Sequence, residues 1–166
     1  MKKIRLSADL QFDSVVDGKG LRCVLWTQGC PHRCLGCHNP QTHDCEGGFE
    51  ADIDMVRAEM KKHAYLDGVT FSGGEPMLQA KQCAELASFA KSLGWNVWCY
   101  TGFLFEELLQ KKDLDIMNFL EQIDVLIDGR FEIEKKTMEL YFRGSSNQRC
   151  IDVQSSLKEK VGIEVE

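Results

Sequence analysis

The chain has 166 residues, of which 20 are Lys or Arg and 26 are Asp or Glu, so its formal net charge is −6. This length fits one domain spanning residues 1–166. A hydrophobic fraction of 43% with only 3 Pro is typical of a folded globular protein and excludes disordered and collagen-like classes. Nucleic acid is a disfavoured partner, because neutralising its phosphates takes a surplus of Lys and Arg.

Cysteine is the unusual residue type, with 8 in the chain. The first residues, MKKIRLSADLQFD, have no apolar region of a secretory signal, and no stretch approaches the length of a membrane span. We therefore expect a cytoplasmic protein with no membrane association, whose thiols stay reduced and act as metal ligands or small buried side chains. Three thiols fall within eight residues, at Cys30, Cys34 and Cys37.

Hydrophobic periodicity predicts an alternation of strands and helices. In chain order the patterns predict a strand at 21–27 (LRCVLWT), a helix capped by Asp52, a strand at 68–71 (GVTF), a helix over 83–93 that stops at Gly94, a strand at 97–100 (VWCY), two short helices within 105–122, and a strand at 125–127 (VLI). This alternation is typical of βα units around a mainly parallel sheet. We expect the last ten or so residues to form a loosely held tail.

Each predicted strand is followed by residues of types that bind metals, contact cofactors or form tight turns. The cysteine loop follows the first strand, Ser72-Gly73-Gly74-Glu75-Pro76 the second, Thr101-Gly102 the third, and Asp128-Gly129 the fourth. The carboxyl ends of parallel strands meet at one edge of a sheet, and active sites of parallel α/β folds collect there. The sequence therefore predicts one functional site at this edge of the sheet.

The three clustered thiols indicate zinc, Cu(I) or an iron–sulfur cluster, because soft thiolates select these metals. A structural zinc site closes with four ligands, and the fourth would be His38, His43 or Cys45. A [4Fe–4S] cluster held by three thiolates instead keeps one iron open to a substrate or cofactor. The spacing by itself leaves both interpretations open.

The pattern Cys-x3-Cys-x2-Cys, followed by a strand that ends in Gly-Gly-Glu-Pro, resembles the radical S-adenosylmethionine superfamily. Within it, the chain is most similar to the activating proteins of anaerobic ribonucleoside-triphosphate reductases, which are small activases of glycyl radical enzymes. The resemblance covers nearly the whole chain, with further matching segments at residues 17–23, 36–39, 100–103, 124–131 and 143–148. The segment 143–148 (RGSSNQ) is the most specific to this group.

The resemblance implies an α/β fold of the shortened, partly open βα-barrel type, since a closed eight-unit barrel typically needs about 250 residues. It implies that Cys30, Cys34 and Cys37 hold a [4Fe–4S] cluster and that S-adenosylmethionine binds the open iron. The implied cofactor-binding residues are Ser72, Gly73, Gly74, Glu75, Pro76, Thr101 and Asp128. For Thr101 and Asp128, turn formation is an equally good explanation.

The implied reaction is one-electron cleavage of S-adenosylmethionine, followed by abstraction of a hydrogen atom from a glycine Cα of the reductase. The implied partners are that reductase and a low-potential electron donor such as flavodoxin. Two alternatives remain: an activase of another glycyl radical enzyme such as pyruvate formate-lyase, and a non-catalytic zinc-binding interaction module. Among the other side chains, we expect Cys23, Cys83 and Cys99 in the core, and His32 and His63 at the surface.

Overall fold

The computed structural model describes residues 2–165 and shows an α/β fold around one mixed sheet. The strands are β1 (Lys3–Leu6), β2 (Gln11–Ser14), β3 (Arg22–Thr27), β4 (Phe49–Asp52), β5 (Gly68–Gly73), β6 (Asn96–Tyr100), β7 (Val125–Asp128) and β8 (Arg149–Asp152). The α-helices are α1 (Ile53–Lys62), α2 (Ala80–Ser92), α3 (Phe105–Gln110), α4 (Leu114–Gln122) and α5 (Val153–Glu159). Residues 2–165 contain no helix with the length and hydropathy of a membrane span.

The centre of the sheet is parallel and its edges are antiparallel. Strand order is β4-β1-β3-β5-β6-β7-β8, with β2 pairing to β3, and the sheet is not closed. Strands β3, β5, β6 and β7 run parallel, whereas β1, β2, β4 and β8 pair antiparallel. The four central strands and the mainly parallel centre confirm the sequence prediction. The four antiparallel strands are not predicted by the sequence patterns.

The predicted helix boundaries follow from local hydrogen bonds. Asp52 caps α1, its side chain accepting a hydrogen bond from the Asp54 N–H. The predicted break within 105–122 is confirmed, because Asp113 starts α4 by accepting hydrogen bonds from the backbone of the next turn. Each cap satisfies N–H groups that have no partner within the helix.

The core lies between the central strands and the helices. Alternate residues of β5 and β6, including Phe71 and Cys99, pack in one cluster with the apolar face of α2. Cys23, Cys83 and Cys99 are all 0% exposed, which confirms them as core residues. Burial raises the pKa of the Cys23 thiol to about 12, so this group behaves as a small apolar side chain.

A buried arginine at the start of β3 holds the preceding segment in place. Arg22 is 0% exposed, and its guanidinium donates to Thr70 Oγ1 at 2.7 Å and to Asn96 Oδ1 at 2.6 Å. It also lies 5.3 Å from the Trp98 ring centroid. Thr70 Oγ1 in turn donates to the Asp17 carbonyl at 2.6 Å. Through Asp17 and Arg22, the segment 17–23 therefore anchors the loop between β2 and β3 to the central strands β3, β5 and β6.

The expectation of a loosely held C-terminal tail is wrong. The Asp152 N–H donates to the Ile163 carbonyl at 2.8 Å, and the Val165 N–H donates to the Cys150 carbonyl at 2.7 Å. The Gly162 N–H also donates to a Glu106 carboxylate oxygen at 2.8 Å. Residues 162–165 thus cover the free edge of β8, where they satisfy backbone groups that an edge strand leaves unpaired.

Candidate metal and cofactor site

Loops from the carboxyl ends of β3, β5, β6 and β7 surround one cavity of about 130 Å³. Strand order predicts this convergence. Of the ten predicted site residues, six line the cavity: Cys30, Cys34, Cys37, Gly73, Gly74 and Thr101. The other four, Ser72, Glu75, Pro76 and Asp128, lie outside this lining.

The loop after β3 folds back on itself and so presents the three cysteines. The Gly29 N–H donates to the Thr42 carbonyl at 2.7 Å, and the Cys30 N–H donates to the His43 carbonyl at 3.2 Å. The side chain of Gln28 spans the same loop, donating to the Asp44 carbonyl at 2.7 Å. These bonds close residues 28–44 into a compact unit that needs no disulfide.

The three thiols are free and half-buried. Burial raises the pKa of the Cys30 and Cys34 thiols, and backbone N–H groups oppose this rise, those of His32 and Arg33 at Cys30 and that of Phe131 at Cys34. The third sulfur, at Cys37, accepts the Asn39 N–H at 3.4 Å. A backbone N–H at a sulfur stabilises a metal-bound thiolate, and the Asn39 N–H is placed to do this at Cys37.

Within residues 2–165, no group of three or more His, Cys, Asp or Glu side chains is placed to hold a single metal ion. A [4Fe–4S] cluster makes a different demand, because each thiolate binds a separate iron. Three thiols around one cavity meet that demand.

The two glycines after β5 bring its loop against the cysteine loop. The Gly74 N–H donates to the Thr27 carbonyl at 2.8 Å, and the Glu75 N–H donates to the Gly29 carbonyl at 2.7 Å. Gly73 has a φ of +96°, and a Cβ on it would collide with the Thr27 backbone. Only glycine permits this close approach of two loop backbones.

The Glu75 side chain is 0% exposed, and Glu75 is not among the residues that line the cavity. It accepts hydrogen bonds from the Met77 N–H at 3.1 Å, from Thr101 Oγ1 at 2.9 Å and from the Gly102 N–H at 2.8 Å. His32 Nε2 lies 2.6 Å from Glu75 Oε1. Glu75 therefore braces neighbouring loops against each other.

The expectation that His32 is a surface residue is wrong, because its side chain is only 4% exposed. Its ring meets the Phe103 ring edge-on at 4.6 Å between centroids, and the absence of a side chain at Gly102 makes room for it. Long-range contacts bury it, and they are not visible in the local sequence. The second histidine predicted at the surface, His63, is half-buried and stacks on Phe12 at 3.6 Å between ring centroids.

Asp128 is also 0% exposed, and an arginine side chain forms hydrogen bonds with its carboxylate. Arg149 donates to both Asp128 oxygens, at 3.0 Å and 2.6 Å, and the Phe105 N–H donates at 2.8 Å. Arg149 also contacts Glu106 at 2.6 Å and holds the pKa of that carboxyl at about 2. The Asp128 side chain thus joins β7 to β8 and to the start of α3.

Comparison with known proteins identifies the group to which these features belong. Residues 16–151 match the family described as 4Fe-4S single cluster domain. The anaerobic ribonucleoside-triphosphate reductase-activating protein of Pasteurella multocida is 37% identical over 147 residues, covering 81% of this chain and 89% of the relative. The proteins of the same name from Enterobacteria phage T4 and Escherichia coli are 34% and 31% identical, covering 81% of this chain and 85% and 90% of the relatives. The chain belongs to this family of activating proteins.

In this member of the activating-protein family, the segment 143–148 completes the cavity wall. The Gln148 side chain accepts the Gly144 N–H at 2.9 Å and donates to the Gly129 carbonyl at 3.1 Å. The Asn147 side chain donates to the Arg130 carbonyl at 2.8 Å. Gln148 and Phe131 both line the cavity, and neither is among the predicted site residues. Their position in segments shared with the activating proteins is the signal that points to them.

Proposed function

We propose that this chain activates an anaerobic ribonucleoside-triphosphate reductase with a [4Fe–4S] cluster held by Cys30, Cys34 and Cys37 and with S-adenosylmethionine bound at the open iron. The observation that carries the proposal is the set of three free thiols around one cavity at the carboxyl ends of parallel strands. The names of the relatives support the choice of reductase as the protein substrate.

Cys30, Cys34 and Cys37 would hold the cluster, which together with S-adenosylmethionine would supply the radical chemistry that removes a hydrogen atom from a glycine Cα of the reductase. The protein holds the three sulfurs in place, and backbone N–H groups stabilise their negative charge. Backbone polar atoms of residues 72–76, brought close by Gly73 and Gly74, receive the methionyl amino group. The buried side chains of Glu75 and Asp128 act on the cofactor through the loops that they fix.

Among these side chains, Thr101 both lines the cavity and donates to Glu75, so we assign it to the cofactor pocket. The open sheet is a shortened barrel of the radical S-adenosylmethionine type, and its open side admits the glycine loop of the reductase. Holding that loop beside the cofactor favours abstraction from one Cα by proximity. A low-potential donor such as flavodoxin supplies the electron.

The test is anaerobic purification and reconstitution with a purified anaerobic ribonucleoside-triphosphate reductase, S-adenosylmethionine and dithionite. We expect about four iron and four sulfide per chain, formation of 5′-deoxyadenosine, and the doublet of a glycyl radical in electron paramagnetic resonance. Omitting S-adenosylmethionine is the control and should abolish the doublet. Stoichiometric zinc with no iron, in protein never exposed to air, would reject the proposal. A doublet formed on pyruvate formate-lyase but not on the reductase would reject the choice of partner.

A further inference from the structure

One line of polar contacts joins all four loops around the cavity. Arg130, after β7, donates from Nε to His32 Nδ1 at 3.1 Å. His32, in the cysteine loop, meets Glu75 after β5 at 2.6 Å, and Glu75 accepts from Thr101 and Gly102 after β6. The loops that carry the site are thus connected through one imidazole and one carboxylate.

The direction of these bonds assigns the tautomer of the neutral His32 ring. The Nε–H of an arginine can only donate, so His32 Nδ1 must be the acceptor. The proton of the neutral ring then lies on Nε2 and is donated to Glu75. Both partners are buried, with the Glu75 side chain 0% and the His32 side chain 4% exposed. A buried carboxylate is costly unless donors surround it, so this arrangement resists separation.

The position of His32 in the chain connects this network to the cluster ligands. His32 lies two residues after Cys30, and both residues line the same cavity. Arg33 has a φ of +48°, a left-handed conformation that is strained for any residue except glycine. Such a conformation persists only where the surroundings impose it. The anchored ring of His32 is an immediate neighbour able to do so.

We propose that His32, locked between Arg130 and Glu75, is a positioning residue that holds residues 30–33 of the cysteine loop, and with them the half-buried Cys30 thiol, in place. The inference rests on the proposed function in one respect, since it takes Cys30 to be a cluster ligand. His32 acts on Cys30 through the backbone of the cysteine loop.

The first test needs no cluster and uses the full chain in its metal-free form. A maleimide labels the cysteines, and mass spectrometry gives a rate for each one. The side chain of His32→Asn is too short to reach Glu75, so residues 30–33 should open locally and expose the half-buried Cys30 thiol. We expect Cys30 to react about tenfold faster than in the parent chain. His32→Gln places an amide N–H near the former Nε2 and should restore the slow rate. His63→Asn, the same change away from the cavity, is the matched control and should leave Cys30 unchanged.

Two cysteines in the same chain separate local release from unfolding. Cys45 is exposed and Cys83 is fully buried, so the first is an internal reference and the second reports loss of the core. Faster labelling of Cys30 alone supports the proposal. An unchanged Cys30 rate in His32→Asn overturns it, and so does a parallel rise at Cys83, because His32 would then serve only overall stability.

The second test measures loss of iron from the reconstituted cluster to a chelator, without S-adenosylmethionine or reductase. We expect His32→Asn to lose iron about tenfold faster than the parent chain, and His32→Gln to recover the parent rate. An unchanged rate of iron loss in His32→Asn overturns the proposal, even if its thermal stability falls. Failure of the parent chain to assemble a cluster would refute the proposed function instead, and the labelling test would still decide whether His32 positions Cys30.

Discussion

Two buried carboxylates lie at the carboxyl ends of central strands, and their partners differ. Asp128, at the end of β7, pairs with the guanidinium of Arg149 through two hydrogen bonds. Glu75, after β5, pairs with no arginine or lysine among the contacts of residues 2–165. Its donors are two backbone N–H groups, the Thr101 hydroxyl and the His32 ring.

The difference separates a structural contact from one that is coupled to the site. An arginine neutralises the charge of Asp128, and the pair joins β7 to the edge strand β8 and to α3. The charge of Glu75 is stabilised by dipoles that belong to the loops around the cavity. Movement of any of these loops therefore removes a donor from Glu75, and loss of the Glu75 carboxylate removes the partner of His32 in the cysteine loop. Four predictions test this comparison.

The largest effect is expected from Cys34→Ala, which tests whether the loops that Glu75 connects hold a metal site. Removal of one thiolate should prevent assembly of an intact [4Fe–4S] cluster and abolish formation of 5′-deoxyadenosine under dithionite. Iron analysis and chromatography of the nucleoside measure the two outcomes. Cys45→Ala is the matched control, since Cys45 is exposed and lies outside the cavity lining. A normal rate of cleavage in Cys34→Ala would contradict the ligand assignment.

The second effect concerns Asp128→Asn, which places an amide against Arg149. Loss of one charge from a buried pair should lower the free energy of unfolding by about 3 kcal/mol, a cost limited by the remaining contact with Glu106. Urea denaturation of the metal-free chain gives the value, and Asp9→Asn at an exposed position is the control. The labelling rate of Cys30 should not change. A rise in that rate would show that the two carboxylates form one system.

The third effect concerns Thr101→Val, which keeps the shape of the side chain and removes one donor from Glu75. A hydrogen bond to a charged group contributes about 2 kcal/mol, so the free energy of unfolding should fall by about that amount. Thr101→Ser keeps the hydroxyl and should remain close to the parent chain. Cys30 should be labelled faster in Thr101→Val, but less so than in His32→Asn. If valine and serine variants are equally stable, the hydroxyl is not a donor that Glu75 requires.

The smallest effect concerns Glu106, whose pKa Arg149 lowers to about 2 from 4.5. A carboxyl with a lowered pKa in the folded state contributes stability above pH 4.5 that is lost as the pH falls toward 2. Because Glu106 is partly exposed, we expect Glu106→Gln to remove about 1 kcal/mol at neutral pH and to flatten the stability profile over this range. Urea midpoints between pH 2 and 6 measure it. A profile identical to that of the parent chain would contradict the assignment.

Strand and helix positions near the centre of the chain are predictable because short-range patterns encode them. The apolar runs of β3, β5, β6 and β7 are bounded by turn residues, and the caps at Asp52 and Asp113 are local signals. The antiparallel strands are short and half-exposed, so their formation depends on a neighbouring strand and not on their own periodicity. The order of the C-terminal tail also depends on a neighbouring strand, because residues 162–165 form their hydrogen bonds with the edge of β8.

The sequence by itself determined the cysteine spacing, the glycine pair at the end of β5 and the alternation that brings four loops to one edge. Those features predict a thiolate metal site at this edge of the sheet, since thiolate chemistry and parallel topology follow from residue types and their order. The resemblance of the motifs to known activating proteins predicted the family, and the relatives confirm it. Only the tertiary structure decided the partners of the buried polar groups. His32 and Asp128 have the same local sequence signals as surface or turn residues. Contacts with Glu75 and Arg149, 43 and 21 positions away, give them their roles. A buried charge must find donors wherever the fold supplies them, and the distance along the chain places no limit on that choice.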